Sequence, residues 1–262
     1  MRSLRYLRLS FHILKGMLIC AVLFPRIDTE KRRWHIRRWS IRILQLCRIK
    51  VEIVGNSSGY PTGQMVISNH VSWLDIYAIN AWHPVRFVAK SEIRDWPVIG
   101  WLCEKTGTFF IERGKRKAVH HMLHLLAERL QAGDAICVFP EGTTGDGTAI
   151  LPFHSNLMQA PLSASAPVLP VGVRYLDART REPAASAAYV GDMSLGESLS
   201  AILKGPPLVA RVYLGRPILA EEGVDRRVLA GQGRAAISHL LGLPPADTAP
   251  GSTHASLDPD PV

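Results

Sequence analysis

From residue 51 onward the chain alternates short apolar runs with longer stretches of helical periodicity, and that alternation narrows the fold more than any other feature. Residues 65–68, 86–89, 108–111, 135–139, 168–173 and 209–214 read as strands. Residues 74–81, 96–106, 117–132 and 227–241 read as helices. The third of these places Met122, Leu123, Leu126 and Leu130 on one face and stops at Gly133. Such alternation predicts an α/β fold, a single domain with a central mixed β-sheet flanked by helices. A length of 262 residues, 47% of them hydrophobic, is enough to bury one core of that size.

Ahead of this domain the composition changes. Of the chain's 31 Lys and Arg and 22 Asp and Glu, residues 1–50 hold 13 and 2, which leaves 18 and 20 for the rest. The formal net charge of +9 therefore resides wholly in the N-terminal segment. Residues 9–24 read LSFHILKGMLICAVLF, with Lys15 inside the run and arginines on either side. The run is short for a bilayer span, and no small-x-small cleavage site follows Phe24 as a secretory signal would require. Residues 34–49 place Trp39, Ile43 and Leu46 at helical spacing, widened by Ile36 and Leu44, with arginines opposite. Pro25 separates the two segments. The expectation is an amphipathic two-helix membrane anchor over residues 1–50, lying in or dipping into one leaflet against anionic headgroups. A span over residues 4–24 is the alternative. Nucleic acid is not an expected partner, because a nucleic-acid protein carries its basic residues on the folded domain. Residues 244–262, PPADTAPGSTHASLDPDPV, are expected to form a disordered tail beyond a folded domain at 51–243.

The four cysteines, Cys20, Cys47, Cys103 and Cys137, are widely spaced, with no C-x-x-C pair, so reduced thiols are expected and neither a disulfide nor a metal site.

Four blocks carry chemistry. Ser68-Asn69-His70-Val71-Ser72-Trp73-Leu74-Asp75 follows an apolar run and sets a histidine five residues before an aspartate. A carboxylate at one ring nitrogen fixes the tautomer that leaves the other nitrogen as a base. That is the base-and-orienter part of a serine-protease triad without an evident nucleophile, since Ser72 lacks a G-x-S-x-G elbow. It suits a reaction in which a substrate hydroxyl attacks. Taken alone, the pair reads equally as a helix-capping aspartate beside a satisfied loop histidine. The second block, FFIERGKR (109–116), ends a β-like run in a charged cluster where Arg113 is placed to fork onto a phosphate. The third, CVFPEGTTG (137–145), ends a buried strand in a turn whose amides can hold an oxyanion and whose Glu141 can hold a hydroxyl-bearing substrate. The fourth, APVLPVGV (166–173), is an apolar strand with two prolines, read as a rigid wall or a plain edge strand. Each of the last three has an ordinary structural reading as well.

In this order the blocks NHVSWLD (69–75), FIERG (110–114), FPEGTT (139–144) and APVLPV (166–171) resemble the glycerolipid acyltransferase family with its His-x4-Asp motif. The resemblance covers roughly residues 50–215 and is in particular to bacterial 1-acyl-glycerol-3-phosphate acyltransferases. It implies that His70 deprotonates a lysolipid hydroxyl while Asp75 orients and charge-balances it. It further implies acceptor binding by Arg113, its neighbour Glu112, Lys90, Glu141, Gly142 and Thr143, and an acyl pocket at Pro167 and Pro170. The donor would be acyl-CoA or acyl carrier protein, with no metal or redox cofactor. The product would be phosphatidic acid in phospholipid synthesis, at the cytoplasmic face of a bacterial inner membrane. The motifs leave the headgroup open, so another lysolipid such as lyso-ornithine lipid remains an alternative acceptor. Outside the family, a His/Asp membrane-peripheral hydrolase and a non-catalytic membrane protein remain.

Overall fold

The computed structural model describes residues 2–55, 62–112, 116–221 and 223–246. Its helices are α1 (Arg2–Leu18), α2 (Thr29–Leu46), α3 (Leu74–Trp82), α4 (Ile99–Lys105), α5 (Arg116–Gln131), α6 (Gln159–Ala164), α7 (Leu195–Lys204) and α8 (Arg226–Leu241). Its strands are β1 (Ile49–Val54), β2 (Met65–Ser68), β3 (Arg86–Lys90), β4 (Phe109–Ile111), β5 (Ile136–Val138), β6 (Val168–Asp177) and β7 (Leu208–Leu214). They form one seven-stranded sheet in the order β1-β7-β6-β2-β5-β3-β4. Only the β6–β7 pair is antiparallel.

Alternation along the strands divides the core between two faces. Val66, Cys137, Leu169, Val171 and Val173 pack with Leu74, Ala78 and Ile79 of α3, Leu44 of α2 and Ile202 of α7. Met65, Ile67, Ile136, Val138 and Val168 pack with Leu126 and Leu130 of α5 and Leu229 and Ile237 of α8. The mixed α/β sheet flanked by helices is therefore the fold that the alternation predicts.

Three features depart from the sequence reading. The second helix stops at Leu46; Arg48 takes a positive φ of 61°, and Ile49 opens β1 in parallel register with Leu208. α4 begins at Ile99 rather than at Trp96, because Pro97 is followed by a γ-turn at Val98 (φ 67°, ψ −51°) closed by the Ile99 amide on the Pro97 carbonyl at 2.7 Å. β6 is not an edge strand but lies between β2 and β7. It accommodates Pro170 because the missing donor faces β7 where the ladder breaks, between the Val168–Ile218 bridge and the Gly215 amide that binds the Pro170 carbonyl. The tail expected over 244–262 lies outside the described residues from 247 onward.

Candidate active site

Strands β2, β5, β3 and β4 are parallel, so their carboxyl ends open on one edge of the sheet, where ligands bind in open α/β folds. His70 follows β2, Glu141 follows β5, Lys90 closes β3 and Glu112 follows β4. One topological fact thus gathers blocks that are separated by up to 71 residues in sequence.

His70 is held by its backbone before its ring is used. Asn69 extends the β2–β6 ladder with its side chain, donating to the Val173 carbonyl at 3.0 Å and accepting from the Val173 amide at 2.8 Å. The His70 amide donates to Glu141 Oε1 at 2.6 Å, and the His70 carbonyl accepts from the Gly145 amide at 2.7 Å. The ring stacks on Phe139 with centroids 3.9 Å apart and planes 11° from parallel. Its Nδ1 lies 2.8 Å from Asp75 Oδ2. A carboxylate there requires the proton on Nδ1, which leaves Nε2 as the basic nitrogen of the neutral ring. The His70 side chain is 20% exposed and that of Asp75 is 0% exposed.

A buried carboxylate needs donors, and Asp75 has four. Oδ2 accepts from the Val71 amide at 2.7 Å and the Ser72 amide at 2.9 Å as well as from His70. Oδ1 accepts from the Tyr175 hydroxyl at 2.7 Å. Position in the first turn of α3 adds the favourable end of the helix dipole. The neighbours respond to the burial and the charge. The Tyr175 hydroxyl and the Cys137 thiol are pushed well above their ordinary values, first by burial and then by Asp75.

Glu141 is also buried. Its second oxygen accepts from the Leu151 amide at 3.0 Å, so the carboxylate ties the loops of Glu141 and Leu151 to His70. Burial raises its pKa from 4.5 to about 7 against the pull of its two backbone donors.

Of the other expected site residues, Gly142 is half-buried in the same turn with φ 68°, and Thr143 is exposed beside it. Lys90 and Glu112 are exposed at the same sheet edge. Arg113 lies outside the described residues. Two positions are not brought to the cluster. The Pro167 carbonyl accepts from the Met65 amide at the amino end of β2, roughly 15–20 Å from His70 along the strand. Pro170 pairs with Ile67 mid-strand, and alternation directs it to the α8 face. Pro167 therefore belongs to the sheet's far end and Pro170 to its middle. The Ser72 hydroxyl is fully buried and has no partner among the described residues, so it cannot reach a substrate. Tyr175, Asn69 and Phe139 are site elements to which the sequence reading gave no role.

The sequence and the fold are similar to those of proteins of known activity. The sequence profile of the Acyltransferase family matches residues 50–174, which include all four blocks. The lyso-ornithine lipid O-acyltransferase of Pseudomonas aeruginosa is 36% identical over 218 residues, 83% of this chain and 82% of that one. The chain belongs to the acyltransferase family. The 1-acyl-sn-glycerol-3-phosphate acyltransferase of Neisseria meningitidis is 37% identical over 187 residues, 71% of this chain and 72% of its own. The crystal structure of the 1-acyl-sn-glycerophosphate (LPA) acyltransferase from Thermotoga maritima has the same fold, with a TM-score of 0.64 over 92% of this chain and 97% of that one at 21% identity.

Two substitutions separate orientation from burial at this acyltransferase site. Asp75→Asn presents an amide where Oδ2 now accepts three donors and favours the wrong tautomer, so kcat should fall by about 10²–10⁴-fold. Tyr175→Phe leaves His70 oriented and removes one donor, so it should lower stability by about 1.5–3 kcal/mol while kcat falls less than roughly tenfold. Steady-state kinetics and denaturant titration on both variants check this, and equal losses of kcat would contradict it.

Glu141 gives a pH signature. Below pH 4.5 both folded and unfolded chains carry its proton; between 4.5 and about 7 the unfolded chain releases it more readily. Its contribution therefore lowers stability as pH rises through that window. Glu141→Gln should remove that slope, read from unfolding midpoints at pH 4.5 to 7.5, and should reduce activity because an amide donor would face a backbone N–H.

Proposed function

We propose that the chain transfers a fatty acyl group from acyl-CoA or acyl carrier protein to the free sn-2 hydroxyl of lysophosphatidate, giving phosphatidate. The observation that carries the reading is the His70–Asp75 pair, oriented and charge-balanced, with the neighbouring Ser72 hydroxyl buried out of a substrate's reach. His70 Nε2 takes the proton of the acceptor hydroxyl as its oxygen attacks the thioester carbonyl. The C–O bond forms, the tetrahedral centre collapses, the C–S bond breaks, and the proton passes from the imidazolium to the departing thiolate. Asp75 stabilises the imidazolium in between. Arg113 takes the acceptor phosphate, with Lys90 at the same sheet edge as a second cation. Glu141 and Gly142 position His70 and its loop rather than touching the acceptor.

A second acceptor, lyso-ornithine lipid, is favoured by one observation: the relative that aligns over 83% of this chain carries that name. The His70 step is unchanged under it, and Arg113 then needs a different anionic partner.

We further propose that the N-terminal segment lies in one leaflet. The helix Leu4–Arg26 is long and apolar enough to cross a membrane by length and composition. It is, however, held along the folded domain. Arg5 donates to the Leu203 carbonyl of α7, His12 and Trp39 exchange hydrogen bonds with α2 and α1 carbonyls, and a Cβ on Gly16 would lie 2.4 Å from Trp39 Nε1. Leu7, Phe11, Leu14, Leu18 and Val22 form an exposed stripe at helical spacing on the outer side. A chain that stays in the supernatant when phospholipid vesicles are pelleted would contradict membrane attachment.

The acyl-transfer test offers labelled acyl-CoA and acyl carrier protein to lysophosphatidate and to lyso-ornithine lipid in detergent micelles. His70→Ala should lower turnover by about 10²–10⁴-fold or more with the fold intact. Arg113→Ala should raise the KM for lysophosphatidate far more than the KM for the donor. Transfer mainly to lyso-ornithine lipid would overturn the headgroup, and release of free fatty acid in place of transfer would overturn the reaction.

A further inference from the structure

Where the apolar N-terminal segment ends, it faces α4 across a cavity of about 390 Å³. That volume lies within the range of small-ligand sites. Phe24 and Pro25 wall it from the segment, Arg32 from the first turn of α2, and Trp101 and Lys105 from α4. Each cation is set over a ring, Arg32 5.9 Å from the Phe24 centroid and Lys105 5.7 Å from that of Trp101. No carboxylate lines the cavity, and neither cation is ion-paired among the described residues. The Arg32 Nε is buried without an acceptor among the described residues, a condition that folded proteins rarely leave uncompensated.

We propose that this cavity binds the phosphate of an anionic membrane phospholipid, held between Arg32 and Lys105, with Phe24 and Trp101 against the glycerol and the first acyl carbons. It shares no residue with the site around His70. The lipid source follows from position, and in this it rests on the in-plane reading of the N-terminal helix. The exposed Leu14, Leu18 and Val22 lead directly to the cavity rim, so a leaflet that receives them presents headgroups at that level. A phosphate held there joins α2 to α4 and so fastens the anchor to the catalytic domain.

Two measurements on the full chain test this. In the first, binding to vesicles of phosphatidylcholine alone, and with phosphatidylglycerol added, is compared for wild type, R32M/K105M and the charge-matched R38Q/R42Q. Arg38 and Arg42 lie on the exposed side of the same helix. R32M/K105M should lose about tenfold more affinity for the anionic vesicles than R38Q/R42Q, the scale of one charge-assisted contact. Equal losses would mean diffuse attraction and overturn the site. The exposed K105M alone keeps the fold and should show a loss of the same sign.

In the second, short-chain phosphatidylglycerol is titrated into the detergent-solubilised His70→Ala protein. It should raise the unfolding temperature, and the rise should vanish in R32M/K105M on that background. The same rise with inorganic phosphate or coenzyme A would make the ligand a free phosphate or the donor and overturn the lipid assignment. Wild type that ignores both vesicle types would refute the membrane reading by itself, while the titration would still decide the cavity.

Discussion

The architecture around His70 depends on one buried charge. Asp75 has no exposed surface, and a carboxylate in that position is tolerated only with its lone pairs filled. The four donors come from two places: the His70 ring and the amides of Val71 and Ser72 in the loop between β2 and α3, and Tyr175 on β6, 100 residues away in sequence. Satisfying Asp75 therefore folds the loop after β2 back on the start of α3 and fixes that loop against the neighbouring strand. The spacing of the His-x4-Asp motif is what lets a single oxygen bind both the histidine ring and two backbone amides. Removing one donor from so enclosed a charge costs about 1.5–3 kcal/mol.

Glu141 is the second buried carboxylate and has a different task. Two backbone amides, from His70 and Leu151, occupy its oxygens. It governs where the histidine backbone sits, while Asp75 governs where the ring points. Phe139, from the same loop, covers the ring face. Position and orientation are thus set by separate groups that the parallel strands bring to one edge of the sheet. Lys90 and Glu112 lie on that edge as well, exposed on its rim beside the buried pair.

The fold class was legible because apolar runs and helical periodicities alternate, and six of the seven strands lie where that pattern sets them. β1 was not, since IKVEIV continues a basic apolar stretch and only its pairing with β7 distinguishes strand from helix. α7 was missed too, although Ser194 and Glu197 form a capping box at its start. In the site, His70, Asp75 and Glu141 were legible from motifs whose chemistry is local. Tyr175 was not, because an inward tyrosine in a long strand carries no local mark of the carboxylate it will meet. The prolines of the fourth block show a related limit: rigidity can be read from sequence, but the end of the sheet it occupies cannot. Glu141 was legible as a residue but its backbone partners were not, since they exist only once β2 and β5 are paired.

The central claim is that the substrate hydroxyl, activated by His70, is the only nucleophile. Intact-protein mass spectrometry after incubation with acyl thioester and no acceptor tests it most directly. The account predicts an unmodified protein mass, with acyl transfer beginning when lysolipid is added. A covalent acyl-protein that forms without acceptor and is consumed when lysolipid arrives would contradict it.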